Sequence, residues 1–166
     1  GYSLALRAGP RADSLLKARL LGTNPIVMVA SPKYLAKHGT PQTPADLLDH
    51  DCIVYANHER SAKWPLLVKR KVTAMPVRPR VAVNSFMLAR DFAVAGLGIA
   101  RMPGGFSADL EADGSLVRVL TEFEPPLSPL HAVFPPGPHL APRVRAFVDL
   151  LASRLDTTMS FPRKRR

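Results

Sequence analysis

Ile26-Val-Met-Val-Ala30-Ser31-Pro32-Lys-Tyr-Leu-Ala-Lys-His38-Gly39 is the stretch that decides the fold class. Ile26–Ala30 is an unbroken apolar run of strand length, the signature of a strand buried on both faces. Ser31 can accept a hydrogen bond from a free helix amide, and Pro32 loses nothing at the first helical position, where the amide has no intrahelical partner. The predicted helix runs from Pro32 to His38, and Gly39 suits a C-terminal stop. A buried strand feeding directly into a capped helix is the unit of an α/β domain.

The same grammar recurs downstream. Thr43-Pro44 opens a second helix, with Asp46 placed to favour the helix dipole, ending near His50. Cys52-Ile-Val-Tyr55 reads as a short buried strand, and residues 56–76, which hold the single tryptophan Trp64, as a solvent-facing hairpin region. Arg80–Val83 is a strand. Asn84 or Ser85 caps a helix over Phe86–Ala95 that Gly96 ends. Gly98–Met102 is a strand, Pro103-Gly104-Gly105 turns into a short helix stopping at Gly114, and Leu116–Leu120 is a further strand. Upstream, residues 2–7 alternate as a strand stopped by Gly9-Pro10, while 13–24 fit neither pattern. The connector 124–129 carries three of the 17 prolines. Leu130–Phe134 is a strand, and Pro142 opens a helix with the stripe Val144, Phe147, Val148, Leu151 and Leu155. Alternating strands and helices predict largely parallel sheets.

A chain of 166 residues with 46% apolar content supports one domain or two small lobes sharing a cleft. No apolar run approaches the roughly 20 residues of a membrane helix, so no membrane association is expected. The single cysteine, Cys52, excludes an internal disulfide or a thiolate zinc cluster and fits a reducing cytoplasm. The chain lacks an initiator Met and begins inside an apparent strand, which reads as N-terminal truncation. Its net charge is +10; four of the 23 basic residues form the tail Arg163-Lys-Arg-Arg166 and the others are dispersed. No aromatic residues interleave with them as on a base-stacking surface, which favours a solvated tail over a nucleic-acid surface.

Motifs for chemistry are sparse. Gly96-Leu-Gly98-Ile-Ala-Arg101 begins like a dinucleotide fingerprint, but Arg101 stands where the third glycine belongs, and the glycines follow a helix rather than a strand. A helix stop and tight turn explain them. The five histidines lack metal-ligand spacing, and no metal or cofactor is expected. Asp46, His50 and Cys52 would form a nucleophilic set only if they converged on a cleft; a buried strand at Cys52 argues for a structural role. Ser31 and Ser85 sit in no nucleophile elbow. Asp91 beside Arg90, and Glu122 with Glu124 in a connector, make no acid–base pair. These absences point to binding rather than to an enzyme. What remains is a set of helix N-termini after strands, at Ser31, Asn84-Ser85 and Pro103-Gly104-Gly105, whose free amides suit an anion. Arg7, ending the first strand, adds a bidentate carboxylate partner.

Leu4-Ala-Leu-Arg-Ala-Gly9, Ile26–Pro41, Thr43–Ile53, Ala95-Gly-Leu-Gly-Ile-Ala-Arg-Met-Pro103, Gly114-Ser-Leu-Val-Arg-Val-Leu120 and Pro142–Leu151 together closely resemble the effector domain of LysR-type transcriptional regulators. The segments occur in the family's order and span nearly the whole chain. The resemblance implies an α/β, periplasmic-binding-protein-like fold of two lobes around a cleft, with crossing strands near Asn24–Val27 and Leu120–Leu130. Residues 1–24 plus 121–156 would form the first lobe, 25–120 the second, and 157–166 a basic tail. The first lobe would be incomplete, since the family's helix-turn-helix, linker helix and opening strands have no counterpart here. By motif, the pocket would be lined by Arg7, Ala8 and Gly9 from one lobe and by Ala30, Ser31, Asn84, Ser85, Phe86, Met102, Pro103 and Gly104 from the other. Amides and hydroxyls would orient the ligand, and Phe86 and Met102 would supply apolar wall. The implied function is sensing of a small effector, a carboxylate by family analogy, within a cytoplasmic homodimer or homotetramer that meets DNA only through its helix-turn-helix. A solute-binding protein of a transport system, which shares the lobe architecture, is the alternative.

Overall fold

The computed structural model describes residues 4–9, 16–55, 63–135 and 141–158. The expectations for Pro10, residues 56–62 and the basic tail Arg163–Arg166 lie outside those residues. By internal packing the chain divides into two compact units, one from the described parts of Gly1–Asn24 and Leu127–Arg166, the other Pro25–Pro126.

In the first unit, β1 (Ala5–Ala8), β2 (Lys17–Asn24) and β10 (Ser128–Phe134) form an antiparallel sheet of order β1-β10-β2. Residues 17–24, which fit no pattern in sequence, are thus a strand. Most of it is exposed or half-buried and only Leu21 is buried, so its sequence lacks a clean apolar alternation. Helix α4 (Pro142–Thr158) covers one face: Val148 meets Leu21 and Ala132, with Val144, Leu151 and Leu155 packed around them. Phe147 is not part of that stripe and stays 49% exposed. The spacing 144, 148, 151, 155 already completes one helical face, and Phe147 lies off it.

The second unit holds β3 (Ile26–Ala30), α1 (Pro32–His38), a 3₁₀ turn (Pro44–Leu48) and β4 (Asp51–Tyr55). The hairpin of β5 (Lys63–Val68) and β6 (Lys71–Pro76) follows, then β7 (Arg78–Val83), α2 (Phe86–Val94) and β8 (Ile99–Pro103). A 3₁₀ turn (Gly104–Phe106), α3 (Ala108–Ala112) and the short β9 (Val117–Arg118) complete it. The five-stranded sheet has the order β7-β4-β8-β3-β9. Strand β4 runs parallel to β7 and β8, whereas β3 runs antiparallel to β8 and β9.

The expected parallel pairing therefore needs correction. Within this sheet β3 alone runs against the rest, and among the described residues the other two sheets are wholly antiparallel. Two helical segments separate β3 from β4, so that connection reverses the chain instead of making a βαβ crossover. The simple β–α–β unit is β7-α2-β8, which crosses over β4.

Strand β3 is buried on both faces. Met28 and Ala30 join a cluster with Tyr34, Leu47, Cys52, Trp64, Leu66 and Ile99. Val27 and Val29 join the opposite cluster with Ile53, Ala89, Ala93, Ala100, Met102 and Leu116. The predicted strand Leu116–Leu120 shrinks to Val117–Arg118, because Leu120 adopts a left-handed conformation (φ 54°) that turns the chain. Phe123 packs on the Leu66 side, so residues 121–126 lie with the second unit and the division falls at Pro126/Leu127 rather than after Leu120.

Gly98 shows why the Gly96-Leu-Gly98 turn tolerates no side chain. Its φ is +154°, and a Cβ there would stand 2.3 Å from the Asp51 carbonyl oxygen. Gly114 also has a positive φ, +80°, but faces open space. Gly98→Ala is expected to lower unfolding free energy by roughly 2–4 kcal/mol through overpacking and strain. Gly114→Ala should lose about 1 kcal/mol from its backbone conformation alone. Urea titrations followed by Trp64 fluorescence measure both; equal losses would contradict the close-approach argument.

Candidate functional site

In the second unit, β4 and β7 end side by side, with Tyr55 in register with Val83. The chain leaves β7 through Asn84 and Ser85 into α2. Ser85 occupies the N-cap in an extended conformation, and its carbonyl accepts the Ala89 N–H at 3.0 Å. Its side chain makes no capping hydrogen bond. Asn84 is exposed and Ser85 half-buried, so a hydroxyl and an amide side chain stand beside the first-turn amides of α2.

Phe86 is the centre of an aromatic cluster at this helix start. Its ring stacks on Tyr55 with centroids 4.2 Å apart and 15° between planes, and meets Phe106 at 5.3 Å and 41°. All three rings are half-buried. Tyr55 and Phe106 escaped the sequence reading. The available signal was positional: Tyr55 is the last residue of a strand whose neighbour ends one step before the helix.

The other expected pocket residues are placed differently. Ser31 caps α1, accepting the Tyr34 N–H at 3.3 Å, and is only 3% exposed. Gly96 packs over it, with a Cβ position 3.5 Å from its hydroxyl oxygen. Ala30 and Met102 are core residues, 0% and 1% exposed. Met102 was expected as apolar wall; strand alternation turns it instead beneath α2. The Gly104 amide is already committed to the Pro25 carbonyl at 2.8 Å, so Pro103 and Gly104 shape the turn without offering that donor. Arg7 and Ala8 lie exposed in β1 of the first unit, and Gly9 donates its amide to Pro129 O at 2.9 Å. The structure thus gathers Asn84, Ser85 and Phe86 with Tyr55 and Phe106.

Asp46, His50 and Cys52 do not converge into a nucleophilic set. Asp46 accepts hydrogen bonds from the amides of Gln42 and Thr43 and from the Thr43 hydroxyl, which hold its pKa below the usual carboxylate value. The Cys52 thiol is fully buried, contacts Leu47 O and His50 O at 3.7 Å, and is pushed up to about 12 by burial. It stays protonated at neutral pH and is a poor nucleophile. His50 packs against Tyr34, whose oxygen accepts the Asp51 N–H at 2.9 Å. With burial lowering the His50 pKa, the neutral ring accepts the Tyr34 proton at Nδ1 across 3.1 Å. Among the described residues no cluster of three or more His, Cys, Asp or Glu is placed to hold a metal, and no helix is long and apolar enough to cross a membrane.

The sequence model of the LysR substrate binding domain matches residues 1–156. The chain is 35% identical over 144 residues to an uncharacterized HTH-type transcriptional regulator of Haemophilus influenzae, covering 87% of the chain and 50% of that relative. It is 31% identical over 157 residues to the HTH-type transcriptional regulator CrgA of Neisseria meningitidis, covering 94% and 52%. The solved CrgA regulatory domain matches with a TM-score of 0.79 at 31% identity, over 92% of this chain and 75% of that one. The chain spans about half the length of the curated relatives it matches. It shares with these regulatory domains the periplasmic-binding-protein-like α/β fold class.

The buried His50 makes stability depend on pH. Its folded pKa lies below the ordinary 6.5, so the unfolded chain takes up the proton first as pH falls. Stability is full above about 6.5 and declines below it until the folded pKa is reached. His50→Gln, which keeps an acceptor for Tyr34, should show a shallower decline in urea titrations between about pH 7.5 and 5. Parallel slopes would mean that His50 contributes no such linkage.

Proposed function

The chain belongs to the LysR substrate-binding domain family, and on that premise we propose that it senses a small carboxylate-bearing effector and so governs DNA-dependent transcription by the longer protein. The observation that carries this reading is the start of α2. An uncommitted Ser85 hydroxyl and the exposed Asn84 side chain stand beside first-turn amides, and the partial positive charge of a helix N-terminus favours an anion. The Tyr55–Phe86–Phe106 rings next to it supply apolar contact for the rest of a ligand. Ser31, Ala30, Met102 and Gly104 hold this frame rigid from beneath. The regulator is read as a homodimer or homotetramer whose helix-turn-helix contacts DNA, consistent with relatives named as HTH-type regulators. No observation favours the solute-transport alternative.

A differential melting screen of carboxylate metabolites tests the proposal. A ligand at about 100 times its Kd stabilises by roughly 2.7 kcal/mol. Ser85→Ala and Phe86→Ala should each reduce that increment at least tenfold in affinity, while melting in buffer changes little for Ser85→Ala. A library in which no carboxylate raises the midpoint, or an increment untouched by both substitutions, would count against it.

A further inference from the structure

Four arginines of the described structure face a carboxylate: Arg19 with Asp149, Arg78 with Asp51, Arg90 with Asp109 and Arg118 with Glu111. Arg101 does not. It lies in β8, in the interior of the five-stranded sheet, in register with Met28 of β3. Its neighbours Ala100 and Met102 turn to the α2 side of the sheet, so alternation puts Arg101 on the face of Ile99 and Met28. Its Nε–H is buried with no acceptor. Glu124, the other unsatisfied group of this unit, makes its ion pair with Arg118 at 3.8 Å. Burial alone lowers the Arg101 pKa to about 10, with no carboxylate opposing the shift.

A buried cation without a partner is costly, and proteins normally pair or hydrate it. The residue keeps partial exposure. The base of the guanidinium fork is therefore fixed by packing, and its outer nitrogens are the part that solvent or a ligand reaches. A planar fork held in this way suits two parallel hydrogen bonds to an oxyanion. We propose that Arg101 is an anion-anchoring residue that binds the carboxylate of the effector. The assignment rests on the sensing role proposed above and adds to it a specific cationic contact outside the α2 start.

The test uses the full chain with Arg101→Met and Arg101→Lys, melted in sodium acetate, sodium benzoate, sodium sulfate or sodium chloride at one ionic strength, with Trp64 fluorescence as the readout. Acetate and benzoate should raise the wild-type midpoint above its value in chloride. Arg101→Met should lose that increment and melt in chloride at or above the wild type, since an apolar chain of similar reach replaces an uncompensated charge. Arg101→Lys should keep part of the increment. A methionine variant that retains the full increment, or that melts well below wild type in chloride, overturns the proposal, because the guanidinium is then satisfied within the protein. An increment with sulfate alone, lost in Arg101→Met, supports an anion site while refuting a carboxylate effector. An increment abolished by Ser85→Ala but kept in Arg101→Met supports sensing and sinks the role of Arg101.

Discussion

Burial of β3 on both faces is the constraint from which the rest of the second unit follows. Met28 and Ala30 are dry on one side, Val27 and Val29 on the other. A strand in that position must satisfy every backbone group within the sheet, and β8 and β9 do so from either side. Two layers are then needed to cover it. The hairpin, α1 and the 3₁₀ turns supply one, and α2 with the segment after β8 supplies the other. The start of α2 is fixed at the end of β7 because its buried alanines, Ala89 and Ala93, must sit on Val29 and Ala100.

Polar groups inside that unit are placed so that they keep their neutral or paired forms. Tyr34 links α1 to the start of β4 through His50 and the Asp51 amide. Asp51 also takes Arg78 at 2.7 Å, and its carbonyl is the wall that Gly98 must clear. One short segment, His50–Cys52, therefore positions α1, β7 and the turn before β8 together. Residues that looked like chemistry in sequence form a joint.

Local physics was legible in sequence, and long-range pairing was not. The helix over Pro32–His38 was readable because capping by Ser31, the N1 proline and the Gly39 stop act within a single turn. The stripe on α4 was readable through its period, except for Phe147. The direction of β3 was not, since strand–helix alternation reports neighbours in sequence and not in the sheet. Leu116–Leu120 looked like a strand on composition, yet Leu116, Val119 and Leu120 are buried around a turn rather than along a ladder. At the site, Ser85 and Phe86 were found because a helix start has a local signature. Tyr55 and Phe106 became visible only when three separated segments met, and Arg101 was noticed in sequence merely as a missing glycine.

Strand β7 carries Arg78, Pro79 and Arg80 at one margin of the five-stranded sheet, opposite a break in register between Cys52 and Ile53. The other margin is β9, two residues long. Proline offers no N–H, charged side chains resist desolvation, and a two-residue ladder gives little template. The sheet therefore ends at both margins in a form that discourages another strand from joining it. Copies of this unit can crowd together in an assembly without their sheets fusing edge to edge.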